Sequence, residues 1–185
     1  LHNPDEISRK DLRINDYVIV RRAGDVIPEV VTSIPERRSG SEIEWSLDKR
    51  CPCGDFDIVY IKDEKVPRCS GRYDCKISKK EMLIYFASKS GLDIEGLGRE
   101  TVETLIANKL VENFEDFYSL TYEELISLPQ WKEKKTQNLL EAIEKSKNSE
   151  QEKLLPALGI RYVGKQTSKL LVNTFGSIRN IFDAS

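Results

Sequence analysis

Gly159-Ile160-Arg161-Tyr162-Val163-Gly164-Lys165-Gln166-Thr167 is a glycine-bounded hairpin between two apolar-periodic runs, and Ile94-Glu95-Gly96-Leu97-Gly98-Arg99-Glu100-Thr101 echoes it earlier in the chain. Both read as tight turns that feed the start of a helix. Glycines there let a ligand approach the main chain closely, and the free N–H groups of the following first turn point outward with partial positive charge. That combination suits phosphate. Two such hairpins at a distance in one chain point to a repeating polyanion, so nucleic acid leads, although an ordinary turn between helices accounts for either hairpin taken alone.

The same stretch imitates a different phosphate site. Gly159 to Lys165 spells G-x-x-x-x-G-K, and a nucleoside-triphosphate loop would then require Ser or Thr where Gln166 stands, with a strand ahead of the first glycine. The run from Glu152 to Leu158 has helical character instead. The triphosphate reading fails on both tests.

Before the glycine hairpins the chain is of another kind. Tyr17-Val18-Ile19-Val20 ends in β-branched residues, Arg21-Arg22-Ala23-Gly24-Asp25-Val26-Ile27-Pro28 follows, and a second β-branched run reaches Val31: strand, turn, strand. Arg21 and Arg22 beside the turn either meet phosphates or form a solvated strand end. The four cysteines then fall together, as Cys51-Pro52-Cys53-Gly54 and Cys69-Ser70-Gly71-Arg72-Tyr73-Asp74-Cys75, with strand-like Ile58 to Ile61 between the pairs. Two cysteine turns on a hairpin can supply four thiolates to zinc, so Cys51, Cys53, Cys69 and Cys75 are the candidate ligands. Oxidised or unliganded cysteines and a redox role stay open, because C-x-C leaves one residue where structural zinc turns leave at least two. A zinc held there is expected to be weaker or more distorted than in a C-x-x-C site.

After Cys75 the pattern turns helical. Ser78-Lys79-Lys80-Glu81 reads as a capping box, with Met82, Leu83, Tyr85 and Phe86 as an apolar face that stops at Gly91. Thr101 to Asn108 is the helix fed by the first glycine hairpin; Thr121-Tyr122-Glu123-Glu124 is a second capping box; Lys132 to Lys147 is a long helix; the second glycine hairpin and its helix run to Phe175. The half after residue 77 therefore repeats helix, hairpin, helix, with a middle copy at Pro129-Gln130-Trp131-Lys132 that has no glycines. Trp131 is expected in the core rather than against bases.

Composition bounds the rest. A chain of 185 residues, 39% hydrophobic and 32% charged, is one to two domains of an ordinary globular class. No apolar run approaches the roughly 18 residues of a membrane span, and no charged-then-apolar leader opens the chain, so no membrane and a cytoplasmic address are expected. With a net charge of -2, any polyanion has to be held by local basic and backbone groups.

These residues together resemble the central and C-terminal part of bacterial NAD-dependent DNA ligases. Leu1-His2-Asn3 with Arg21 to Pro28 is similar to the later part of that family's OB-fold domain, and the cysteines fall where the family has a four-cysteine zinc finger. Asp93-Ile94-Glu95-Gly96-Leu97-Gly98 and Leu158-Gly159-Ile160-Arg161-Tyr162-Val163-Gly164 are similar to its first and third helix-hairpin-helix motifs. The resemblance implies an α+β chain in several domains: the end of an OB-fold over 1–46, a zinc finger over 47–77, and a helix-hairpin-helix domain over 78–185 that holds three of four motifs, a fourth copy lying beyond Ser185.

The activity it implies is the sealing of nicks in duplex DNA, in which AMP passes from NAD to a lysine, then to the 5′-phosphate, and is displaced by the 3′-hydroxyl. The nucleophilic lysine of such ligases lies in K-x-D-G, and no K-x-D-G occurs in this sequence. This chain would therefore encircle and position nicked duplex as a monomer, with no catalytic residue of its own and no activity alone, zinc being its own cofactor and NAD and magnesium belonging to a catalytic domain elsewhere. DNA-binding residues on this reading are Arg21, Arg22, Gly96, Gly98, Arg99, Gly159, Arg161, Gly164, Lys165, Thr167 and Lys169. A helix-hairpin-helix DNA-binding module of a repair protein with no ligase activity is the alternative, and a protein-interaction or purely structural chain is a third.

Overall fold

The computed structural model describes residues 4–24, 27–61 and 66–184. Leu1-His2-Asn3 and the Asp25-Val26 part of the expected turn lie outside the described residues. The chain divides into two compact units, Leu1–Cys75 and Lys76–Ser185. It has an α+β layout, with the described strands all in the first unit.

In the first unit a short helix α1 (Pro4–Arg9) precedes β1 (Arg13–Ile14), β2 (Val18–Ala23) and β3 (Ile27–Ser33), and a one-turn 3₁₀ helix at Pro35–Arg37 leads to β4 (Ile43–Glu44). The expected strand, turn, strand is an antiparallel β2–β3 hairpin that pairs Val18 with Ser33 and Arg21 with Glu29. Its register shifts between Ile19 and Val20, which places Val31 opposite no residue, as in a β-bulge. Strand β1 pairs separately with β4. Little apolar surface is buried here: of the hydrophobic residues described between Pro4 and Glu44 only Leu12 is buried, whereas Tyr17, Ile19 and Val20 are half or more exposed.

Polar contacts hold this segment instead. Arg38 donates from Nε and Nη2 to the two carboxylate oxygens of Asp16 at 2.7 and 2.8 Å, and from Nη1 to Asp11 at 2.7 Å. The Asp16 side chain is 1% exposed. Its hydrogen bonds from Arg38 hold the carboxyl at about 2, well below its ordinary 3.8. A depressed carboxylate stabilises the fold above its unfolded value, and that contribution is lost as pH falls from about 4 toward 2. Thermal melts between pH 5 and 2 are expected to show an acid loss of stability in the first unit that Arg38→Gln makes smaller.

The second unit is all helical: α2 (Lys76–Ala87), α3 (Arg99–Ala107), a 3₁₀ segment at Phe114–Ser119, α4 (Tyr122–Ile126), α5 (Glu133–Ser146), α6 (Gln151–Ala157), α7 (Lys165–Phe175) and α8 (Ile178–Asp183). Its core joins Leu83 and Phe86 of α2, Val102 and Leu105 of α3, Phe117, Leu125, and Leu139 and Ile143 of α5. Trp131 is in that core at 7% exposure, as expected, with the Lys135 ammonium 4.2 Å from its ring centroid. No helix among the described residues is long and apolar enough to cross a membrane.

Two local expectations change. Helix α2 starts at Lys76, so Ser78 lies inside its first turn and does not cap it. Glu81 pairs with Arg99 rather than reaching back to the helix start. Tyr85, expected on the apolar face, is 42% exposed, and Ala87 takes a buried place beside Phe86. The helix ends at Ala87, short of Gly91, which lies in the following turn: its N–H donates to the Ser88 carbonyl, and a Cβ there would run into the carbonyl oxygens of Phe86 and Tyr85.

Candidate nucleic-acid interface and metal centre

Three hairpins in the second unit share one backbone. Each turn is closed by a 3.1 Å bond, from the N–H of Leu97 to the carbonyl of Ile94, from Trp131 to Leu128, and from Val163 to Ile160. The residue before each closing donor is left-handed: Gly96 at φ 87, Gln130 at φ 67 and Tyr162 at φ 62. One residue after the donor comes an extended helix N-cap, Gly98 at ψ 171, Lys132 at ψ 160 and Gly164 at ψ -178. The first helical bond then runs from Val102 to Gly98, Thr136 to Lys132 and Ser168 to Gly164, at 3.0, 3.0 and 2.9 Å. Val102, Thr136 and Ser168 are all at 0% exposure. Ser168 Oγ donates to the Glu152 carbonyl at 2.6 Å, while Thr136 Oγ1, where the first hairpin has a valine, makes no bond among the described residues.

The middle copy thus has no glycines and keeps the geometry. Its residues give a signal that glycine counting passes over: apolar, two residues, apolar, then the helix start, as in Leu128 to Trp131, Ile94 to Leu97 and Ile160 to Val163.

The glycines divide into two kinds. Gly96 and Gly159 lie at φ 87 and 69, where L side chains are strained. Gly98 and Gly164 have φ of -70 and -84, open to any residue, and a Cβ on either would meet no atom within 4 Å. Neither backbone conformation nor internal packing asks for glycine at these two positions. Both sit exposed at a helix start, where a side chain would stand between the main chain and an approaching ligand. Lys132 puts such a side chain at the middle hairpin.

Capping separates these helices from others. Helix α4 is capped by the Thr121 and Glu124 box and α8 by Ser177, whereas α3, α5 and α7 have no side-chain cap bond. The N–H groups ahead of Val102, Thr136 and Ser168 therefore have no partner within their helices. Acidic residues stand in the first turn of α3 (Glu100) and of α5 (Glu133), and none in that of α7. The start of α7 is the most favourable of the three for an anion.

The expected side-chain contacts fare unequally. Arg99 lies on two parallel 2.7 Å bonds to Glu81, which pull that carboxyl below its usual range, so its charge is balanced locally. Arg21 is bonded across the β2–β3 hairpin to Glu29 at 3.1 Å. Arg22 is exposed on the other face of the same strand. Lys165, Thr167 and Lys169 are exposed on α7, close in sequence to Gly164 and Arg161. Gly96, Gly98 and Arg99 gather likewise at the first hairpin.

The cysteines converge in the first unit. Strand β5 (Ile58–Val59) pairs with β6 (Arg68–Cys69), and Cys51, Cys53 and Cys75 are buried together with Cys69 packed against them. The short first turn still delivers both sulfurs: Gly54 at φ 87 folds the chain back so that its N–H reaches the Cys51 carbonyl at 2.9 Å, and the Cys51 N–H bonds the Phe56 carbonyl at 2.8 Å. All four Sγ atoms lie within 4.8 Å of one another. Cys51 and Cys75 are 3.9 Å apart at sulfur, against about 3.8 Å for the edge of a tetrahedron with zinc–sulfur bonds near 2.3 Å. The thiols form no disulfide. The Cys53 backbone N–H favours the Cys51 thiolate, yet burial and the facing sulfurs leave its pKa pushed up to about 12 without a cation. Donor type, burial and spacing fit a metal ion.

Comparison with known proteins follows the same division. Residues 1–42 match the family model of the NAD-dependent DNA ligase OB-fold domain. Residues 92–145 match a SAM-like helix-hairpin-helix tandem and 153–185 a helix-hairpin-helix motif. A DNA ligase of Geobacter sulfurreducens is 46% identical over 182 residues, 98% of this chain and 27% of that protein. The chain thus spans about a quarter of the length of the relative it matches. In the order of its motifs and along nearly its whole length, the chain resembles the C-terminal region of NAD-dependent DNA ligases.

Proposed function

We propose that this chain is the DNA-holding part of an NAD-dependent DNA ligase, which grips nicked duplex through hairpin main chain and leaves bond chemistry to a catalytic domain. The observation that carries this reading is the pair Gly98 and Gly164, glycines that their own backbone and packing do not require, each opening an uncapped helix. Phosphate seated on those N–H groups would be bound through charge-assisted hydrogen bonds and the helix dipole, without readout of sequence. Lys165, Lys169, Arg161 and Arg22 would add charge, and Thr167 a hydroxyl. The contribution to rate is positioning of the nick.

We place the end of an OB-fold at 1–46, a zinc finger at 47–77 and the helix-hairpin-helix domain at 78–185. Cys51, Cys53, Cys69 and Cys75 would hold one zinc, whose chemistry there is structural cross-linking. Adenylation from NAD and magnesium would belong to the catalytic domain, and the chain would act as a cytoplasmic monomer. The alternative, a repair module without ligase activity, shares the hairpins and differs in having no use for the OB-fold match at 1–42.

Titration of the chain against nicked duplex at several salt concentrations tests the reading. Binding is expected to be insensitive to sequence and to fall with salt, and Lys165→Ala to flatten the slope by roughly one unit. A chain that fails to bind nicked duplex at low salt contradicts it.

A further inference from the structure

Tyr162 is 82% exposed, more than any other large hydrophobic residue described, and it holds φ 62, a conformation in which a tyrosine is strained. The first hairpin places Gly96 at this position, so the turn itself has no need of an aromatic ring. Nor does the core, given that exposure. The hairpin imposes that conformation, since Gln130 holds φ 67 at the same place in the middle copy, so what singles out Tyr162 is an aromatic ring carried there and left in solvent. Beside it, the Arg161 guanidinium lies 5.1 Å from the ring centroid and its Nη2 3.1 Å from the tyrosine Oη. The corresponding pairs are Glu95 with Gly96 and Pro129 with Gln130, so the basic and aromatic combination belongs to the third hairpin only.

We propose that Tyr162 is a DNA-positioning residue, laying its ring against the deoxyribose beside the phosphate held at Gly164 and Lys165, with Arg161 fixed on the ring to reach the backbone. This rests on the phosphate reading of the hairpin. Two residues span at most roughly 7 Å, and within that distance of a duplex phosphate the apolar surface on offer is the C–H face of a sugar at the groove edge. Bases in a duplex are stacked on one another and present no face to the ring. Hairpin three would then fix where along the strand the main-chain grip falls, whereas hairpin one, with glycine at the same place, grips phosphate alone.

Tyr162→Gly removes both ring and strain, and Tyr162→Phe keeps the ring. In the full chain, Tyr162→Gly is expected to melt no lower than the parent and to bind nicked duplex about tenfold more weakly, with an unchanged salt slope because no charge is lost. Tyr162→Phe is expected to bind like the parent. Parental affinity in Tyr162→Gly, or a loss in Tyr162→Phe as large as in the glycine variant, would overturn the proposal. Gly164→Val separates the two levels: if it loses binding while Tyr162→Gly does not, the sugar contact fails and the phosphate grip stands. If Gly164→Val binds like the parent, the grip fails and the proposal with it.

Discussion

Gly164→Val is expected to lose most binding to nicked duplex at every salt concentration while its helix content stays that of the parent and its melting temperature falls only slightly. The separation follows from the local geometry. Gly164 has φ -84 and ψ -178, which valine adopts readily, and a Cβ there meets no atom within 4 Å, so the fold has no objection to the side chain. Valine is a poorer N-cap than glycine, which costs a little stability, but a loss of binding requires an object outside the chain. Each charge-assisted hydrogen bond lost is worth roughly 1.5–3 kcal/mol, so displacement of a phosphate from two N–H groups lowers affinity by at least about a hundredfold. Lys165→Ala, one residue away, removes a screened charge and leaves the grip. Affinity measured by fluorescence anisotropy, with circular dichroism on the same samples, checks both, and equal affinity in Gly164→Val and the parent would reduce this hairpin to a turn.

Removal of metal is the second large effect. Between Pro4 and Cys75 the buried hydrophobic residues described are Leu12, Cys51, Cys53 and Cys75, so this unit has little apolar core of its own. A segment that small generally needs a cross-link or a metal. Structural zinc contributes on the order of 10 kcal/mol at neutral pH, more than the stability of most domains of this size. One zinc per chain is expected on metal analysis, and a strong chelator or Cys75→Ser should unfold residues 47–75 while the helices of the second unit persist. A metal-free chain with an unchanged melting curve would mean that packing holds the cysteine hairpin.

Much of this was legible in the residues. Helices with regular apolar spacing, such as α5 with Leu139 and Ile143, come through in sequence because burial and the helical period act together. The Thr121 box caps as read, since both of its bonds are local. Ser78 misleads because the helix begins two residues earlier, at Lys76, and Glu81 is taken by Arg99, a partner 18 residues away that no local pattern carries. Tyr85 misleads for a related reason: side-chain direction at a helix end depends on what packs there. In the middle hairpin, the missing glycines conceal a turn that Gln130 makes at some conformational cost, because Trp131 is locked in the core on one side and α5 begins just beyond it. At the candidate interface the hairpin turns were legible and the ion-pair partners of the arginines were not. Arg99 and Arg21 read as DNA contacts, and the fold gives each a carboxylate, Glu81 and Glu29.

The most direct measurement is the amide spectrum of the isotope-labelled chain as nicked duplex is added. The account predicts that N–H resonances at the starts of α3 and α7, Gly98, Arg99, Gly164 and Lys165, shift downfield and saturate together, while the capped first turn of α4 at Tyr122 and Glu123 stays in place. DNA binding that leaves the Gly98 and Gly164 amides unmoved would contradict it.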